Sequence, residues 1–316
     1  MSRCPIAYEE LAPGEGTYSR RGLQRLSRTL THLDVLPYSA AELRHEAALR
    51  AAKMSIPGVQ PKLSARLRVK QGRFEIADRG GTYILKPQHP QFPHLAENED
   101  LTMHLAGQAG IEVPVHGLVA SSDGTWTYFI KRFDRVGHGA KLAVEDFAQL
   151  AGHTRETKYD SSMEKVAGLL DRYATFPAVE KLELLRRTLF CFLTAGEDMH
   201  LKNFSLITRG RRVQFSPAYD LVNSAIVLRQ PAEELALPIR GKKRNLSRRD
   251  LLESFGAERL SLTAAAIESV LQRLADVRPA WERFIEASFL PEPAKESYRA
   301  LVEERWKRLG PAKAWR

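Results

Sequence analysis

No apolar run in the 316-residue chain reaches the roughly 18 residues that a membrane-spanning helix needs. The amino-terminal stretch MSRCPIAYEELAPGEG has no apolar signal core behind its first arginine, so the expected location is the cytoplasm, with no membrane contact. Cysteine is scarce as well. Cys4 and Cys191 stand far apart, without CxxC or Cys/His spacing, which argues against a disulfide framework and a zinc site. Cys191 lies within LFCFL and is expected to be a buried, inert thiol. Internal repeats and low-complexity tracts are absent too.

What is present suits a folded protein with two domains or one two-lobed domain, since 43% of the residues are hydrophobic and can fill a core. Forty-eight basic residues against 38 acidic ones give a net charge of +10, which favours polyanionic company. The sharpest basic run, RGKKRNLSRR at 240–249, lacks the interleaved aromatics that stack bases. A solvated loop is therefore favoured there over a phosphate-contacting patch.

Periodicity divides the chain. A polar lead is followed by a helix over AAELRHEAALRAA, with Ser39 as its cap. Alternation then marks strands over 64–70, 73–77 and 82–86, a three-stranded meander ending at Lys86. An amphipathic helix over 96–110 follows, then strands over 113–119 and 125–133 joined by SSDG. After Asp134 helical patterns dominate, in VEDFAQLAG, SSMEKVAGLLDRY, VEKLELLRRTLFCFLTA and the region beyond about 245, interrupted by a hairpin over 204–216. The expected architecture is α+β and two-lobed, with a small antiparallel-sheet lobe over 1–134 and a mainly helical lobe over 135–316.

Lys86, at the end of the third strand, precedes a helix carrying Glu97 and Glu99. That order lets one carboxylate hold the ammonium over nucleotide phosphates, as in a protein-kinase lobe. Glu99 is preferred, because Glu97 lies nearer the helix start and can serve the helix dipole. Upstream, SIPGVQPK at 55–62 contains one glycine where a kinase glycine-rich loop has three, and no Walker A pattern. Gly58 permits close backbone approach to phosphate and Ser55 and Lys62 offer a hydroxyl and a cation, yet a plain connector carries equal weight. The stretch GEDMHLKNFS at 196–205 concentrates an acid, an imidazole, an ammonium and an amide. Phosphoryl transfer asks for a carboxylate that accepts the proton of the attacking hydroxyl, an amide five residues later, and a second acid beyond the next hairpin to hold magnesium. Asp198, Asn203 and Asp220 stand in that order, Lys202 is placed to neutralise phosphoryl charge, and His200 to fix the loop or the metal-binding acid.

The chain resembles the HipA-like serine/threonine kinases of bacterial toxin–antitoxin systems in SIPGVQPKLSARL, YILKP, the ENE helix, KRFDR, EDFAQL, DMHLKNFSL and SPAYDLVNS. These run from about residue 53 to 225, and DxHxKN reverses the HRD order of eukaryotic kinases. The resemblance implies a protein-kinase-like, HipA-like fold, with ATP and Mg2+ as cofactors. Asp198 is then the catalytic base, Asn203 and Asp220 the magnesium ligands, Lys86 the phosphate-binding lysine, and Lys131 to Phe133 the hinge that meets adenine. Ser55 matches a serine that is autophosphorylated in the family. About 50 residues precede that loop, a size similar to the shorter HipT type, in which a small separate HipS-like protein acts as antitoxin. A second serine common in HipT loops is replaced by Pro57, which favours a single site at Ser55. Lys131 stands where an acid is common in the family. The implied substrate is an aminoacyl-tRNA synthetase, with tryptophanyl-tRNA synthetase favoured. The implied partners are the antitoxin proteins, including a DNA-binding HipB-like protein through which DNA is met indirectly. Two other readings stand beside this one: a catalytically silent ATP-binding scaffold or co-repressor, and a small-molecule or lipid kinase.

Overall fold

The computed structural model describes residues 2–50, 60–137, 140–227 and 233–310; Ser55, Pro57 and Gly58 lie outside them. Two compact units are present. The first comprises 1–101, 114–140 and 286–290, and the second 102–113, 141–285 and 291–316. The sequence pattern suggests a single crossing at 134. Instead the boundary falls first inside a helix, because that helix's later residues have their partners in the second unit: Trp281 Nε1 donates to Leu105 O (3.1 Å) and Thr102 meets the Tyr298 hydroxyl (3.0 Å). In the first unit, Phe289 packs edge-on against Tyr8 and Trp126, which returns 286–290 to it.

The first unit is built on an antiparallel sheet of β1 (Leu63–Arg68), β2 (Arg73–Ile76), β3 (Tyr83–Lys86), β4 (His116–Ala120) and β5 (Trp126–Lys131), in the order β2-β1-β3-β5-β4. The expected three-strand meander is not formed: β3 crosses back to pair with β1, Leu63 facing Leu85, and leaves β2 at the edge, a choice of neighbour that alternation along each strand does not encode. Gly72, at φ +60°, makes the turn between β1 and β2. Register places Ala65 opposite Tyr83 and Leu63 opposite Leu85, so these apolar side chains share the buried face with Phe74 and Phe129. Helices α1 (Arg20–Leu26) and α2 (Ala40–Arg50) add Leu23, Leu26, Leu43 and Ala47 to that core. Helix α1 lies within the stretch expected to be a polar lead, because seven residues carry little periodicity; Ser19 caps it by accepting from Gly22 N (3.0 Å). In α2 the expected cap is present, with Ser39 and Glu42 bonding each other's backbone amides. Helix α3 (Leu95–Gln108) links the units along the chain.

In the second unit, the residues VED, helical by pattern, form strand β6 (Val144–Asp146), paired with β7 (Ser205–Arg209), itself paired with β8 (Arg212–Phe215). The helix starts only at Phe147 because Asp146 caps it: Asp146 Oδ1 accepts from Gln149 N and Gln149 Oε1 accepts from Asp146 N, each at 2.9 Å. This short α4 (Phe147–Ala151) is followed by α5 (Met163–Tyr173), α6 (Pro177–Thr194), a π-helical stretch over Arg249–Arg259, α7 (Ala264–Ala287) and α8 (Glu292–Leu309). Helix α6 is the apolar axis, burying Leu184, Leu185, Leu189, Phe190, Phe192 and Leu193. Phe190 meets the fully buried Trp281 edge-on at 5.6 Å. Trp281→Ala should therefore cost about 3–5 kcal/mol of unfolding free energy, read as a lowered urea midpoint.

Candidate active site

In the first unit, alternation along β3 brings Lys86 to the end of the strand, opposite Tyr128 of β5. Its ammonium lies 2.6 Å from Glu99 Oε1 on α3, the two side chains being 5% and 0% exposed, and 5.7 Å from the centre of the Tyr128 ring. The choice between two acids is thereby resolved geometrically. Glu97, on the preceding turn, accepts from Gln88 Nε2 and lies 3.3 Å from His94 Nδ1, so it secures the start of the helix. Asp100 and His116 form a second buried pair beside Glu99, at 2.7 Å. Lys131 is exposed at the end of β5, its N–H donating to Val115 O, while Arg132 N–H donates to Thr82 O (both 2.8 Å). Phe133 is half-buried, and Asp134 after it is held by Arg132 at 2.9 and 3.0 Å.

In the second unit, α6 ends at Ala195, whose left-handed backbone (φ +51°) turns the chain into the loop predicted to carry the chemistry. The loop is closed by its own backbone. Asp198 O accepts from His200 N and from Asn203 Nδ2, both at 2.8 Å, and Leu201–Asn203 form a 3-10 turn. The Asp198 carboxylate is left 60% exposed. Because the Asn203 amide nitrogen is committed to that carbonyl, its oxygen faces away as a hard donor. Asp220, half-buried, adopts φ +55°. This left-handed conformation costs a non-glycine residue roughly 1–2 kcal/mol, so its surroundings must hold it. The residue before it contributes: the Tyr219 hydroxyl donates to Lys202 O (2.9 Å) and bonds Ser205 Oγ, tying the Asp220 segment to the Asp198 loop. An amide oxygen and a carboxylate fit Mg2+, which prefers oxygen ligands; Asn203 and Asp220 would hold it.

Lys202 differs from expectation. Its ammonium is 2.6 Å from Asp146 Oδ2, so the side chain anticipated at a phosphoryl group is engaged by the cap of α4. His200 is buried, and burial holds its imidazole below the ordinary histidine range despite the opposing pull of Asp198. Its Nε2 is 3.8 Å from Asp198 Oδ1, beyond hydrogen-bond distance. Glu197 lies 3.5 Å from Arg305, and burial pushes its carboxyl up to about 7. Asp146 and Tyr219 have no role that sequence patterns reveal. Both stand inside motifs of the family resemblance, EDFAQL and SPAYDLVNS, but their partners lie 56 and 17 positions away along the chain.

The basic run at 240–249 is largely paired: Lys242 with Asp250 (2.9 Å), Lys243 with Glu233 (3.2 Å) and Arg249 with Glu253 (3.3 Å), while Arg248 donates to Leu309 O. The three acids compensate three of the six cations in the run.

The buried pair and the buried acid each have a measurable consequence. Removing one member of the buried pair, by Lys86→Met or Glu99→Ala, should destabilise the fold by about 3–5 kcal/mol, measured by chemical denaturation, because the remaining buried charge loses its 2.6 Å partner. For Glu197 the native carboxyl binds its proton more tightly than an unfolded one, so its contribution makes stability fall as pH rises from about 4.5 to about 7. His200 works in the opposite sense, since the unfolded chain takes up its proton first on acidification. Glu197→Gln should therefore make the urea midpoint rise more steeply with pH between about 5 and 7 than in the wild type.

Residues 54–281 match the family of the HipA-like C-terminal domain. A Haemophilus influenzae protein named as a kinase is 31% identical over 240 residues, 71% of this chain and 68% of the relative. The Sinorhizobium fredii protein Y4dM, also named as a kinase, is 34% identical over 79% of this chain and 64% of its own length. The serine/threonine-protein kinase toxin HipA of Shewanella oneidensis is 28% identical over 54% of this chain and 43% of its own length. Among solved structures, S. oneidensis HipA, in a complex with HipB and its operator DNA, covers 92% of this chain and 75% of its own with a TM-score of 0.70 at 23% identity. The Helicobacter pylori proinflammatory kinase CtkA covers 80% of this chain and 90% of its own, with a TM-score of 0.57 at 17% identity. The fold is thus the α+β, protein-kinase-like fold of HipA, and with more than half its length matched, this chain belongs to the HipA-like family.

Proposed function

We propose that the chain is an ATP-dependent serine/threonine protein kinase acting as the toxin of a toxin–antitoxin system. The observation that carries this is the catalytic loop: an exposed Asp198 carboxylate on a loop closed through its own carbonyl by Asn203, with Tyr219 tying in the segment of Asp220. Within the first unit, the buried Lys86–Glu99 pair offers an ammonium of the kind a kinase uses on phosphate oxygens. Mg2+ bound with ATP would screen the charge on the phosphates. The acceptor hydroxyl attacks the γ-phosphorus, its proton passes to Asp198, and the bond to the ADP oxygen breaks. Lys86 steadies the phosphates, and Lys131 to Phe133 would meet adenine.

The relatives named as kinases and as a kinase toxin support the reaction class. The finer assignments rest on the resemblance to the HipT type: an aminoacyl-tRNA synthetase as substrate, tryptophanyl-tRNA synthetase first, with autophosphorylation at Ser55 and a cytoplasmic location. A small HipS-like protein and a HipB-like protein are the expected partners, with DNA met through the complex. The S. oneidensis HipA complex with HipB and operator DNA is consistent with such an assembly.

Incubation with magnesium and ATP, followed by peptide mass mapping, tests the proposal. Wild type should carry phosphate on the Ser55 peptide and Asp198→Ala should carry none, and only the wild type should phosphorylate tryptophanyl-tRNA synthetase. Equal labelling in both, or inhibition of growth undiminished by Asp198→Ala, would overturn it.

A further inference from the structure

Resting on the kinase reading, we propose that Tyr159 is the positioning residue for Asp198: its phenol holds one carboxylate oxygen so that the other meets the acceptor hydroxyl. Tyr159 lies on the connection between α4 and α5, where no sequence pattern singles it out. Its hydroxyl donates to Asp198 Oδ1.

The other side chains of the catalytic loop are committed elsewhere. The Asn203 amide bonds the Asp198 backbone carbonyl and Lys202 bonds Asp146. His200 Nε2 is 3.8 Å from the carboxylate, and burial keeps its ring neutral towards lower pH than an ordinary histidine. Among the described residues, Tyr159 is thus the one side-chain donor within bonding distance of the carboxylate. An aspartate 60% exposed would otherwise swing about its χ angles, and a base that must meet one proton in one direction gains from being held.

The connection itself is built to present that phenol. Gly152, at φ +71°, ends α4. Thr157 Oγ1 accepts from Thr154 N (2.9 Å), and Thr157 O accepts from Asp160 N (2.9 Å). Lys158 O accepts from Leu201 N at 3.3 Å, which pins the connection to the catalytic loop one residue before the tyrosine. The Tyr159 ring stands edge-on to His200, with centroids 5.0 Å apart and planes at 82°, while the Lys158 ammonium is 4.9 Å from the ring centre. This gives the buried imidazole a role compatible with its neutrality: it supports the ring whose hydroxyl grips Asp198. The phenol is held well above the ordinary tyrosine range, first by burial and then by the Asp198 carboxylate, so it remains a donor throughout the neutral range.

Tyr159→Phe separates the hydroxyl from the ring that packs on His200. With full-length protein and a protein substrate, kcat should fall about tenfold to a hundredfold, with KM for ATP and the thermal midpoint unchanged. A wild-type kcat would overturn the proposal, and so would a raised one, which would mean that the phenol blocks the acceptor. A second measurement needs no turnover. With 13C-labelled tyrosine, the Cζ resonance of Tyr159, assigned by its loss in Tyr159→Phe, should move on Asp198→Asn at neutral pH; an unmoved resonance would also overturn the proposal. If wild type transfers no phosphate at all, the kinase reading fails, and the resonance still decides whether the phenol holds Asp198.

Discussion

The second unit turns on one carbonyl. Asp198 O receives both the backbone amide of His200 and the side-chain amide of Asn203, which closes six residues into a compact turn and presents the Asp198 carboxylate outward. A carbonyl has two lone pairs, and using both leaves the loop little freedom. The rest of the site depends on that turn: the Asn203 oxygen is aimed by its committed nitrogen, and Lys202 O is set where the Tyr219 hydroxyl reaches it. Tyr219 in turn fixes the segment in which Asp220 takes a strained left-handed backbone. Strain of that kind persists only where surrounding contacts over-determine it, and it concentrates at functional positions.

Helix α6 supports this arrangement from below. Its polar residues reach the strand that leads to Asp220: Glu180 accepts from Phe215 N (3.0 Å) and Arg187 donates to Ser216 O (2.7 Å), with its guanidinium 4.5 Å from the Phe215 ring. Both side chains are buried, and each satisfies a backbone group that water cannot reach. The same helix that supplies the apolar axis therefore also sets the position of the segment leading to Asp220. In the first unit, a buried ammonium performs the comparable task. Lys86 is nearly inaccessible and Glu99 fully so, and such a pair is tolerated because each partner compensates the other's lost hydration.

Charge is neutralised locally in much of the chain. The excess of ten positive charges suggests a polyanion-binding surface, yet the densest basic run is laced by Glu233, Asp250 and Glu253. Arg305 and Arg308 on α8 are likewise occupied, by the Phe192 carbonyl and by Glu234. Glu197 is the acid for which burial outweighs its arginine partner, and it immediately precedes the candidate base.

The strands of the first unit, helix α3, and the order of Lys86, Glu99, Asp198, Asn203 and Asp220 were legible in the sequence, because alternation, amphipathic spacing and a five-residue interval between acid and amide are local properties of the chain. Helix α1 was not, being too short for periodicity, and VED reads as helix until its pairing with β7 makes it a strand. Nor could spacing alone choose between Glu97 and Glu99, which differ by half a helical turn; only the packed sheet decides which carboxylate meets Lys86. The same holds for Lys202, Tyr219 and Tyr159, whose partners at Asp146, Ser205 and Asp198 stand 56, 14 and 39 positions away. The kinds of groups available were thus determined by the sequence, while their pairing was decided by the tertiary structure, because hydrogen bonds and ion pairs require an approach of about 3 Å that only the folded backbone brings about.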